Sequence, residues 1–365
     1  MPLKLAHIIE VLEQWAPPSL QESYDNCGLL TGTPETDFTG AVVCLDATEE
    51  VILEAASKGF NLVIAHHPIV FSGLKKLNGK NYIERAVLAA IRNQVAIYAL
   101  HTNLDAVHTG VNRRIGDLLG MTNMAILRPA KNQLLQLSTY IPLNTVELVR
   151  KAMFEVGAGT IGQYSNCSFS VDGHGTFKAA EGANPFVGEI GETHTEPEVR
   201  VELVVPRWLK GRVEAALKKA HPYEVVAFNW IALENTHDEV GSGMVGTLPN
   251  PLIASDFLVK VKNTFGGMVR HTRLLSDSIK RIAWCGGSGS FLLEDAIRQK
   301  ADVFLSSDFK YHQFFDADNK IVIIDIGHFE NEQFTMQLIY EVLNKNFPNF
   351  AGCITQVHTN PIHYL

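Results

Sequence analysis

Histidines and carboxylates gather at three places in the 365-residue chain, each just past an apolar run of strand length. The first is His66-His67-Pro68, which closes NLVIAHH (Asn61 to His67). In open α/β sheets, ligands collect beyond the carboxyl ends of strands, where this pair falls. Adjacent side chains on an extended segment point apart, so both imidazoles reach one site only if the chain bends. Pro68 favours such a bend by pushing the residue before it out of the helical region. The second place is His101-Thr-Asn-Leu-Asp105, after VAIYALH. A carboxylate there either bridges two cations or forms a cap or Asx turn. The third is Asp325-Ile-Gly-His328-Phe-Glu-Asn-Glu332. A strand ending at Gly327 and a helix after it would set His328 and Glu332 at i and i+4 on one face. Taken singly, each cluster has an ordinary structural explanation: a buried hydrogen-bonded histidine, a cap, a surface pair. Together they point to a metal site.

Three neutral imidazoles and two carboxylates suit one or two divalent ions of the Zn, Fe, Mn or Ni kind. The absence of thiolate argues against Cu(I) or an iron–sulfur cluster. Five ligands do not saturate two ions, so positions should stay open for water or substrate.

Other groups could serve a substrate. Cys285-Gly-Gly-Ser-Gly-Ser290 follows a strand and precedes a helix, so the amides at Gly286 and Gly287 either cradle an anion or form a tight turn. Ser307-Asp308-Phe-Lys310-Tyr311-His312 offers Lys310 for a phosphate and His312 for acid–base work, or is simply a polar strand-end loop. His101 is the other candidate for moving protons, since imidazole titrates near neutral pH. Gly241-Ser-Gly243-Met-Val-Gly246 fits GxGxxG but lies in a linker-like stretch, and it reads as a connection rather than a dinucleotide site.

The elements that must position these groups follow a βα grammar. AVVCLD, NLVIAHH and VAIYALH alternate with helical stretches at Glu49 to Lys58 and Tyr82 to Asn93, which implies a largely parallel sheet. The grammar returns in IKRIAWCGG and KIVIIDIG, with helices at Leu292 to Gln299 and Glu330 to Asn344. Between them the order is β-α-β-β-α-β, a ferredoxin-like arrangement, ending in the polar ENTHDEVGSGMVGTLPNP, read as an irregular return connection. The expected fold is therefore one discontinuous α/β domain, residues 1–127 and 248–365, with a smaller α+β domain, 128–247, inserted.

Composition narrows the function. The hydrophobic share is 46% and the charged share 19%, as in globular proteins. A net charge of −8 argues against nucleic-acid binding, which needs a dense basic surface. The N-terminal MPLKLAHIIEVLEQWAPP is broken by Glu10, Glu13 and Gln14, so it reads as an amphipathic helix and not a signal peptide. No apolar run approaches the roughly 20 residues of a membrane span. Five scattered cysteines without a CxxC pair suggest a reducing, cytoplasmic setting.

At these same residues the chain resembles the Nif-three-like proteins, the GTP cyclohydrolase 1 type 2 homologs. The likeness is carried by YDNCGLLTG from Tyr24, HHP from His66, HTNLDAVHTGVN from His101, GGSGS from Gly286, SDFKYH from Ser307 and IDIGHFENE from Ile324. CSFSVDGHGTFKA and HPYEVVAF (from His221) resemble the inserted domain of the long bacterial members, which is similar to PII and CutA proteins. The resemblance implies a pair of metal ions held by His66, His67, Asp105, His328 and Glu332, a toroidal homohexamer, and GTP or a related nucleotide as substrate. Two departures lie near the site: Tyr24 stands where the family usually has Trp, and Asn331 where it has a small hydroxyl residue. Two functions are compatible with this reading: a metal-dependent hydrolase, and a non-catalytic metal-binding regulatory or interaction factor.

Overall fold

The computed structural model describes residues 2–365. The chain divides into two compact units, residues 1–129 with 239–365, and residues 130–238.

The first unit holds two sheets. One has five strands in the order Gly28–Thr31, Ala96–Ala99, Leu62–His67, Ala41–Asp46, Gly352–Ile354. Its inner pairs are parallel, and only Gly28–Thr31 runs against its neighbour. Ala41–Leu45 and Leu62–His66 are buried along their whole length, as expected where crossover helices cover both faces of a parallel sheet. The helix Glu49–Ser57 begins at Thr48, whose side chain accepts from the Val51 amide. The helix Tyr82–Arg92 begins at Asn81, which accepts from the Glu84 amide at 2.8 Å. These caps satisfy donors that a helix start leaves free. Val51, Ile52, Ala86 and Ala90 pack against Val42, Val63 and Ile97 to form this sheet's core.

The other sheet has six strands, ordered Val269–His271, Val322–Ile326, Val303–Ser307, Ser278–Ser288, His237–Ile253, Thr122–Ala130. The middle three are parallel, while Val269–His271 and His237–Ile253 pair antiparallel to their neighbours. Here the expectation of an irregular return connection is corrected. Residues 237–253 form a long strand, with Met244 opposite Trp284 and Gly246 opposite Ile282. Its glycines conceal the strand because they weaken β-propensity, yet Gly243 has a local reason. Its φ is +62°, and a Cβ there would lie 2.8 Å from the Trp284 carbonyl oxygen. The expected helix from Glu330 to Asn344 is also corrected. It breaks at Gln333-Phe334 into His328–Glu332 and Thr335–Asn346.

The second unit has the chain order strand Leu134–Pro142, helix Val146–Glu155, strands Phe169–Lys178 and Thr193–Pro206, helix Lys210–Ala220, strand Phe228–Ala232. The sheet order is Phe169–Lys178, Thr193–Pro206, Leu134–Pro142, Phe228–Ala232, with every neighbouring pair antiparallel. Leu137, Ile141, Val201 and Leu203 from the sheet meet Val149, Met153, Val213 and Leu217 from the helices in its core. Among the described residues, no helix is long and apolar enough to cross a membrane.

Candidate metal centre

His66 ends a run of fully buried strand residues and is itself 0% exposed. Its Nδ1 lies 2.7 Å from the Leu100 carbonyl oxygen. A carbonyl only accepts, so Nδ1 carries a proton, and in the neutral imidazole that a metal would bind, Nε2 presents its lone pair. That Nε2 has no hydrogen-bond partner, although it is buried. It sits 3.6 Å from Glu332 Oε1 and 3.9 Å from Asp105 Oδ1. Asp105 Oδ1 is likewise buried and unpartnered.

The chain turns after His67, and the two neighbouring imidazoles come together with ring centroids 4.9 Å apart. His67 Nδ1 meets Asp46 Oδ1 at 2.8 Å, and its Nε2 meets Glu332 Oε2 at 2.9 Å. His328 repeats the pattern. Nδ1 is 2.6 Å from Asp308 Oδ2 and Nε2 is 2.9 Å from Glu332 Oε2. The His67 and His328 Nε2 atoms are 3.3 Å apart. Three imidazoles thus have Nδ1 tied to oxygen and Nε2 turned toward the same buried carboxylate. Outer oxygens of this kind fix the tautomer and aim of metal-binding histidines. Ligand atoms of His66, His67 and Glu332 all lie within 4.8 Å of one another, as a metal site requires.

The electrostatics of the metal-free chain agree with this reading. Burial pushes the Asp105 carboxyl up, and the Glu332 charge adds to it, to about 8. Burial would raise Glu332 too, but the facing His328 and His66 imidazoles hold it well below the usual range. His328 rises to about 11, chiefly from the Glu332 charge. Burial pulls the His67 imidazolium down, yet its hydrogen bonds to Asp46 and Glu332 prevail and raise it to about 9. These shifts describe protons standing where cations would otherwise neutralise the carboxylates. Orphaned nitrogen and oxygen atoms, a nitrogen–oxygen donor set and oriented imidazoles all fit divalent metal.

His101 belongs to the same neighbourhood. Its Nδ1 is 2.7 Å from Asp25 Oδ1, and its ring stands 5.5 Å from that of His66 and 5.6 Å from that of His67. Asp25 also accepts from the Thr102 hydroxyl and amide. The Gly286-Gly287 loop lines the cleft as well, together with Tyr24, Asp105, His328 and Glu332, around a volume of about 260 Å³. Gly287 has φ +59°, and a Cβ there would stand 2.5 Å from Glu332 Oε1. The loop therefore makes room for the carboxylate, a role that an anion-cradle reading of GGSGS does not include. Lys310 and His312 lie elsewhere, exposed at the short helix Tyr311–Ala317, and neither lines this cleft. Sequence reasoning missed Asp25, Asp46 and Asp308, the three carboxylates behind the imidazoles. Only Asp46 carried a signal, since it ends the strand AVVCLD that register places beside His67.

A family profile described as Duf34/NIF3 (NGG1p interacting factor 3) matches residues 3–361. The chain belongs to the Duf34/NIF3 family. It is 35% identical to a Bacillus subtilis relative named "GTP cyclohydrolase 1 type 2 homolog", over 98% of both proteins. A Staphylococcus aureus relative of the same name is 32% identical over the full length of both. Among solved structures, a Bacillus cereus protein related to NIF3 matches with a TM-score of 0.87 at 32% identity, covering both chains completely. The Duf34/NIF3 chain thus has the mixed α/β architecture of solved members, with a His66, His67 and Glu332 cluster that could hold a metal.

Proposed function

We propose that this protein is a dinuclear metal-dependent hydrolase acting on a nucleotide or a related phosphorylated compound. The observation that carries it is the convergence of three Nε2 atoms, each backed by an oxygen at Nδ1, on the buried Glu332 carboxylate, with the buried Asp105 Oδ1 3.9 Å from the His66 Nε2. His66, His67, Asp105, His328 and Glu332 would hold two divalent ions, Zn, Fe, Mn or Ni, with Asp105 and Glu332 offsetting their mutual repulsion. Such ions, when bound, lower the pKa of coordinated water and polarise an electrophilic carbon or phosphorus. His101, held at Nδ1 by Asp25, would accept or deliver a proton at Nε2. Tyr24, exposed at the cleft and 6.2 Å from Phe71, presents a ring to a planar base. The Gly286-Gly287 loop flanks the space left for the reacting group. Lys310 and His312 would act only on a substrate long enough to reach them.

The relatives' name makes GTP the first compound to assay, beside other nucleotides and phosphoesters. Metal-loaded protein should turn over at least one of them, with His101→Ala slowing it while metal stays bound. A folded, metal-loaded protein that turns over none would favour the regulatory reading. We also propose that the second unit is a ferredoxin-like, PII/CutA-like insert, on its strand–helix order and sheet order. Cytoplasmic homo-oligomers, hexamers on the family resemblance, complete the proposal, and light scattering tests the assembly.

A further inference from the structure

The second unit carries a half-open cavity of about 290 Å³ lined by aromatic rings and two carboxylates. Phe177, Phe186 and Tyr223 form its walls, with Tyr223 6.1 Å from Phe177 and 6.2 Å from Phe186 by ring centroid. Glu198 and Glu224 also line it, and no lysine, arginine or histidine does. Glu198 is only 8% exposed. Its Oε1 accepts from the Tyr223 hydroxyl at 2.8 Å, while Oε2 has no hydrogen-bond or ion-pair partner among the described residues and is open to the cavity. Gly175 makes space for that oxygen, since a Cβ there would lie 2.1 Å from Oε2. Glu224 is held by the Asn184 amide at 3.1 Å.

A carboxylate that is mostly buried but keeps one oxygen facing a cavity offers a ready partner to a charged donor entering from solvent. Aromatic faces beside it attract the same kind of partner, through their negative quadrupole. An anion would be repelled by both glutamates. A hard metal ion would find too few oxygens here, because the walls are rings and the second carboxylate is tied to a backbone amide. We infer that this cavity binds a small organic cation, an ammonium or guanidinium group on a short apolar body, with its charge on Glu198 Oε2 and its carbon surface against Phe177, Phe186 and Tyr223. The residues lining the site all lie within the second unit. It would let that unit sense an amine.

Calorimetric titration of the full chain with choline, agmatine and phenethylamine tests this. Binding of at least one is expected, and its uncharged counterpart (3,3-dimethylbutan-1-ol for choline, 2-phenylethanol for phenethylamine) should bind about tenfold or more weakly. Glu198→Gln keeps the shape and should cost about tenfold or more in affinity, and Phe186→Ala a smaller factor. Circular dichroism establishes that each variant is folded, and Glu224→Gln supplies a second charge removal if Glu198→Gln fails to fold. Equal binding of the neutral counterpart, or unchanged affinity in both charge variants, overturns the inference. So does an absence of binding by all three probes at millimolar concentration, including the case where a neighbouring copy's side chain fills the cavity.

Discussion

His67 and Asp46 are register partners on adjacent parallel strands, and their side chains meet beyond the strand ends at 2.8 Å, Nδ1 to Oδ1. Asp46 Oδ2 in turn accepts from the Thr359 hydroxyl at 2.9 Å. A residue near the C-terminus thus steadies the carboxylate that aims a proposed metal ligand from the first third of the chain.

Asp46→Asn should therefore weaken metal binding by about 10–100-fold, the usual cost of losing an oxygen behind a ligating histidine. Thr359→Val should weaken it less, because Asp46 keeps its charge. Competition against a fluorescent chelator measures both. Affinity unchanged in Asp46→Asn would remove the orienting role.

Gly287→Ala should lose metal and stability together. The residue sits at φ +59°, and the added methyl would meet Glu332 Oε1. Strain of about 1–3 kcal/mol is expected from the backbone alone. Thermal unfolding with and without added metal reads the two effects, and a variant with wild-type melting and wild-type metal content would refute the close approach.

Asp25→Asn should make the protein less sensitive to acid. Burial raises the Asp25 carboxyl, but the hydrogen bonds from His101 and Thr102 outweigh it and hold the group down at about 2. A depressed carboxyl stabilises the fold above its unfolded value, near 3.9, and the contribution fades as pH falls through about 2. Acid unfolding followed by circular dichroism should show a flatter limb in the variant over that window. An identical limb would mean Asp25 is not the group that titrates.

Metal uptake should release protons near neutral pH. In the metal-free chain His67 is raised to about 9 and His328 to about 11, so both imidazoles are protonated at pH 7 and a cation must displace those protons. The raised groups stabilise the metal-free fold fully below their unfolded value of about 6.5, and the His67 share is lost as pH rises through about 9. Stability of the metal-free chain should fall across pH 6.5–9, and apparent metal affinity should rise over the same range. Titration calorimetry in buffers of different ionisation enthalpy measures the protons. No release at pH 7 would contradict the arrangement.

Much of the site was legible because its residues sit at strand ends, where an apolar run stops and chemistry-bearing side chains begin. His66, His67 and Glu332, the cluster that could hold a metal, were visible in that way, as were Asp105 and His328 beside them. Asp25 was not, since a lone carboxylate in a polar loop carries no periodicity that says which histidine it will meet, and Asp308, one residue past the strand Val303–Ser307, stood out only as part of a strand-end loop. The strand Gly352–Ile354 was hidden by its three-residue length, and His237–Ile253 by glycines whose reason is a neighbouring carbonyl. The break at Gln333-Phe334 escaped because neither residue is a helix breaker and no Gly or Pro marks it. Local propensity lost to tertiary packing in each of these cases.

Elemental analysis of the full chain, purified from medium supplemented with Zn, Fe and Mn and compared with Asp105→Asn and Glu332→Gln, tests the central claim most directly. The account predicts two divalent ions per chain in the unaltered protein, with both carboxylate variants depleted, since each removes an anion from a site whose imidazoles add no charge. A chain that binds no divalent metal would contradict the account outright. One ion per chain, or two retained in both variants, would contradict the paired centre held by Asp105 and Glu332.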